Sequence, residues 1–82
     1  MKPQLCLSKG NPRLITAPCV LEWYEYLAKD YAESGSAMRA GMWAAKARNM
    51  RSADIKEADG VYDESLWEEI NRRTDNGEAV RA

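Results

Sequence analysis

SAMRAGMWAAKARNMR, residues 36–51, is, after Ser36, a run of alanine, methionine, arginine and lysine interrupted only by Gly41, Trp43 and Asn49. These are mostly strong helix formers. Ser36 stands where a helix N-cap is needed, because its hydroxyl can accept from the free backbone N–H groups of the first turn. Wound at about 3.6 residues per turn, the stretch shows two apolar faces. One carries Met38, Gly41, Met42 and Ala45. The other, roughly opposite, carries Ala40, Trp43, Ala47 and Met50. The seams between them are basic, with Arg39 and Lys46 along one and Arg48 and Arg51 along the other. No acid occurs between Glu33 and Asp54. A helix that is apolar on two faces must be covered on two sides. One cover is the chain itself; the other is more of this chain or a partner.

The flanking sequence supplies two further helices. Thr16 is expected to cap the next helix, in which Pro18 is tolerated, since the first turn has no use for its missing N–H. The spacing predicts a helix over 17–34. Its apolar half holds Val20, Leu21, Trp23, Tyr24, Leu27, Ala28 and Tyr31, and the other half holds Glu22, Glu25, Tyr26, Lys29 and Glu33. Gly35 provides the left-handed residue that stops it. The central helix then covers 37–51. Downstream, Ser52 opens either a short turn reaching Ala58 or a continuation of the same helix, with Gly60 as the stop. Asp63 caps a third helix over 64–74, and Tyr62 is placed to staple onto Trp67. Leu66, Trp67, Ile70 and Thr74 make its buried stripe. Glu68 with Arg72, and Glu69 with Arg73, have the favourable acid-first spacing. Asp75–Asn76–Gly77 breaks this helix.

At the other end, Leu5–Cys6–Leu7 and Leu14–Ile15 flank the turn-forming Lys9–Gly10–Asn11–Pro12. Either a short hairpin or an extended arm fits, and the arm is preferred. The expectation is therefore an all-α domain of three helices with an N-terminal arm or hairpin. Residues 1–15 form the arm, 16–76 the helical domain and 77–82 a frayed tail. There is no internal repeat and no linker that divides the chain.

The 82 residues make one small domain. With 12 basic and 13 acidic residues the net charge is −1, which argues against a general nucleic-acid binder. The chain has no histidine, which removes the commonest general base and the commonest metal ligand. Cys6 and Cys19 make neither a CxxC motif nor a metal-ligand pair and are read as reduced thiols of a cytoplasmic protein; a disulfide between them stays open. The opening residues have too short an apolar run for a signal peptide. No segment approaches the ~20 apolar residues of a membrane span.

Motifs for chemistry fail on inspection. Aligning Gly60 with the loop glycine of a calcium-binding EF-hand puts Ile55 and Leu66 at its end ligand positions, so 54–64 is a solvated acidic surface. Ser8–Lys9–Gly10 lacks the spacing of a phosphate loop. No pair of carboxylates stands apart from surface acids. The chain is read as a non-enzyme without cofactor or metal.

Binding remains. Trp, Tyr, Met and Arg, the residues enriched at interfaces, are plentiful here: three Trp, four Tyr and four Met beside no Phe. Ala37, Gly41 and Ala45, with Ala40 and Ala44 nearby, would let another helix approach closely. The expectation is a small adaptor or inhibitor docking on a larger host protein with an acidic surface, with a homodimer also expected. Compact regulators of this kind are common in phages and other mobile elements. The expected contact is Arg39, Met42, Trp43, Lys46 and Met50, an aromatic anchor with a basic rim. The rival for Trp43 is a place in the core. The alternative function is a helix-turn-helix-like DNA-binding regulator, with Arg39, Lys46, Arg48, Asn49 and Arg51 toward the nucleic acid.

Overall fold

The computed structural model describes residues 3–52 and 60–73. In chain order the elements are β1 (Leu7–Ser8), β2 (Asn11–Thr16), α1 (Ala17–Glu33), α2 (Ala37–Ser52), β3 (Gly60–Val61) and α3 (Glu64–Arg73). The three helices fall within a residue or so of their expected ranges. The fold class does not: a three-stranded antiparallel sheet, ordered β1-β2-β3, accompanies the helices, so the domain is α+β and not all-α.

The N-terminal segment is a hairpin rather than an arm. Gly10, at φ 85, takes the left-handed conformation that the turn after β1 demands. Leu7 pairs with Ile15 and Ser8 with Asn11, a register broken by an irregularity between Leu7 and Ser8. β3 closes the other edge, with Ile15 opposite Val61 and Thr16 opposite Gly60. Gly60 opens this strand, and a Cβ there would lie 2.6 Å from Leu14 Cβ and 3.2 Å from Ser8 Cβ. Only glycine admits that approach. A lone hairpin is marginal in water. This one is held because Ile15 is fully buried among the helices.

α1 is the spine. It buries Ala17, Cys19, Val20, Trp23, Tyr24, Leu27 and Tyr31, close to the stripe read from periodicity. Thr16 takes its N-cap position without a side-chain cap bond; its N–H instead donates to the Cys6 carbonyl at 3.0 Å. Gly35, at φ 90, ends the helix in a Schellman arrangement, with the Ser36 N–H donating to the Tyr31 carbonyl at 2.9 Å. The chain turns there and α2 packs back on α1. Trp43 and Ala47 of α2, and Leu66 and Ile70 of α3, complete the core. Trp23 is wholly buried, and its indole N–H has no acceptor among the described residues.

α3 is pinned by polar contacts. Asp63 Oδ1 accepts from the Ser65 and Leu66 N–H groups at 3.0 and 3.3 Å, the expected N-cap. Glu69, expected to pair with Arg73, is buried; it accepts from the Tyr31 hydroxyl at 2.8 Å, Arg72 at 2.8 Å and Arg73 at 3.0 Å. Arg73 also bridges to Asp30 at 2.9 Å. Trp67 is half-buried and donates its indole N–H to the Arg13 carbonyl at 2.9 Å. Tyr62, its expected staple partner, is exposed; both rings line a surface groove with Pro12 and Asn71. The expected turn before Ala58, Thr74, the break at Asp75–Asn76–Gly77 and the tail over 77–82 lie outside the described residues. No helix among the described residues is long and apolar enough to cross a membrane.

Candidate docking surface

α2 has an inner and an outer side, and the two apolar faces divide between them. Trp43 and Ala47 are each only 2% exposed, with Ala40 and Met50 half-buried beside them. The Trp43 indole stacks obliquely on Tyr24, with ring centroids 5.7 Å apart. It belongs to the core and is not presented to a partner; what a partner could touch lies on the other side of the helix. There Met38 is 87% exposed and Met42 45%. Gly41 and Ala44 are exposed between and beside them, and nothing lies within 4 Å of a Cβ built at Gly41. Residues four apart on a helix are neighbours, so the two methionines form one patch.

The basic residues of α2 also divide. Lys46 meets Asp63 at 2.9 Å and lies over the rings of Trp43 and Tyr24, at 5.3 and 5.8 Å from their centroids. The same Asp63 oxygen accepts from the Tyr24 hydroxyl at 2.5 Å. Burial would raise the Asp63 carboxyl, but the bonds from Tyr24 and Lys46 outweigh it and hold the group below its ordinary value. Arg51 pairs with Glu25 on α1. Lys46 and Arg51 are therefore neutralised within the chain. Arg39 and Arg48 are exposed. Arg39 lies over the Tyr31 ring at 5.7 Å, and neither arginine has an acidic partner among the described residues. Each stands about a quarter turn from the methionine patch, on opposite sides of it. Asn49 is exposed on the same outer side.

Of the residues expected at a docking surface, Arg39 and Met42 are presented outward. Met50 and Lys46 are half-buried on the α1 side, and Trp43 is inside. Met38, the most exposed large apolar residue among the described residues, was absent from that set, although its place opposite Trp43 on the wheel was visible. Of the five candidates for nucleic-acid contact, Arg39, Arg48 and Asn49 are exposed without an acidic partner, whereas Lys46 and Arg51 are engaged. The described residues contain no cluster of three or more side chains fit to hold a metal. Comparison with protein-family models, with curated proteins and with solved structures finds no match to this chain.

Proposed function

We propose that this chain is a small non-catalytic binding module, an adaptor or inhibitor that docks on a larger protein through the outer side of α2. The observation that carries the reading is the methionine patch, Met38 and Met42, exposed on a helix whose other apolar face is already covered. Methionine adapts its shape to a partner and is over-used at binding surfaces. Arg39 and Arg48 border the patch on both sides, and α2 offers no acid. An acidic partner surface suits this rim, and the charges would act more on association rate than on affinity. A second copy of the chain suits it less. In a face-to-face pairing of two copies both rims are basic and α2 supplies no acid to meet them, so like charges oppose it. Nucleic acid is the weaker alternative, since two of the five candidate contacts are neutralised within the chain. The free thiols of Cys6 and Cys19 favour a reducing, cytoplasmic setting.

The test is capture from nuclease-treated lysate, with the native chain beside Met38→Glu/Met42→Glu and Arg39→Glu/Arg48→Glu. Both variants change exposed positions, so far-UV circular dichroism is expected to be unchanged. A protein captured by the native chain is expected to be lost at least about tenfold by either variant, as for a hot spot of 1.4 kcal/mol or more. Capture that both folded variants retain overturns the surface. Capture abolished by nuclease returns the nucleic-acid reading, and light scattering from a dimer that the methionine variant dissolves returns self-association.

A further inference from the structure

Cys6 lies just before β1 and Cys19 in the first turn of α1. The Cys6 thiol is exposed, whereas Cys19 is 2% exposed. The buried sulfur is held from two directions: the Cys6 backbone N–H donates to Cys19 Sγ at 3.2 Å, and the Cys19 S–H donates to the Gln4 carbonyl at 2.9 Å. The Cys6 carbonyl is fixed as well, accepting from the Thr16 N–H at 3.0 Å. Both sides of the Cys6 peptide are thus tied to the hairpin and to α1. The atom that touches the Cys19 sulfur is bonded directly to the Cα that carries the other thiol. A disulfide needs the two Cβ atoms about 3.5–4.5 Å apart, a separation compatible with a sulfur held on the other cysteine's own backbone N–H.

We propose that Cys6 and Cys19 are a paired modification site, which a small disulfide of the glutathione class converts to an intramolecular disulfide. The exposed Cys6 reacts first. Its thiolate attacks one sulfur of the small disulfide, the S–S bond breaks, and one small thiolate leaves and takes up a proton. Cys6 then carries a mixed disulfide. Cys19 gives its proton to solvent and attacks the Cys6 sulfur, and the second small thiol departs. The chain loses two protons and two electrons, and the small disulfide gains both as it becomes two thiols. The order follows from exposure. Burial above all pushes the Cys19 thiol up to about 12, so it stays protonated and unreactive until a sulfur is delivered beside it. The product replaces the sulfur hydrogen bonds that join the N-terminal segment to α1 with a covalent link.

The full chain is incubated with oxidised glutathione, alkylated and weighed by intact-mass spectrometry without reductant. The native chain is expected to end two hydrogens lighter, with no glutathione retained and no alkylation. Cys19→Ser is expected to stop with one glutathione on Cys6, and Cys6→Ser to take up neither. Cys19→Ala, read in the same way, stands in if the serine variant fails to fold by circular dichroism. A native chain that stays reduced, keeps one glutathione stably, or joins a second chain through Cys6 overturns the pair.

Discussion

Replacing Asp63 with alanine is expected to cost about 3 kcal/mol of folding stability, because one carboxylate serves three elements. Oδ1 caps α3, and losing an N-cap costs about 1 kcal/mol. Oδ2 is the acceptor for the Tyr24 hydroxyl, and Tyr24 is only 6% exposed, so its O–H would be stranded at a cost of about 1–2 kcal/mol. The Lys46 side chain is 33% exposed, which limits the ion pair to about 0.5–1 kcal/mol. Asp63→Asn has one acceptor oxygen for two roles; with that oxygen on the cap its amide N–H2 faces Tyr24 and Lys46, so the charge and the second acceptor are lost and about 2 kcal/mol is expected. Asp63→Ser also keeps the cap alone and should cost about as much. Urea unfolding followed by circular dichroism measures the series. An alanine variant within about 1 kcal/mol of the native chain, the range of ordinary surface changes, would refute the three-way role. The carboxyl is held below its ordinary value of 3.8, so the unfolded chain binds the proton first as pH falls. The native chain should therefore keep this contribution above that pH and lose it below, whereas Asp63→Asn should lack that component of the acid dependence.

Other expectations can be checked in the same way. Gly60→Ala forces a Cβ against Leu14 Cβ, an overpacking that should cost about 1–3 kcal/mol by urea unfolding. Glu69→Ala strands the Tyr31 hydroxyl and one partner of Arg73 and should cost about 2–4 kcal/mol, whereas Tyr31→Phe, which leaves Glu69 with both arginines, should cost about 1 kcal/mol. Burial, and then Asp63, raises the Tyr24 phenol well above its ordinary value of 10.0. Its contribution is whole below that pH and should fall as the unfolded chain ionises above it, with Tyr24→Phe flattening the alkaline limb of a stability–pH curve.

The helices were legible because each announces itself over ten or more residues. Periodicity marks α1, Gly35 its end and Asp63 the start of α3. The sheet was not, for a physical reason: β1 and β3 have two residues each, too few for any alternation to show. Gly60 read as a stop signal because its sequence carries no trace of Leu14, the neighbour that requires a glycine. The acid-first spacing of Glu69 to Arg73 foretold the pair but not its burial, which comes from the tertiary approach of Tyr31. On α2 the wheel correctly separated two apolar faces. It carried no information about which face would meet α1, and the aromatic Trp43 proved to be the inward one.

The contacts that hold α3 also bear on the order of assembly. Tyr24 to Asp63 spans 39 positions, Tyr31 to Glu69 38 and Arg13 to Trp67 54. The corner between α1 and α2 closes within a few residues around Gly35. Distant contacts form only after a large loss of chain entropy, so the α1–α2 pair should assemble early and α3, with its arginines and carboxylates, should dock last. Strengthening that docking would then slow unfolding far more than it hastens folding, and the lifetime of the native chain would be set at α3.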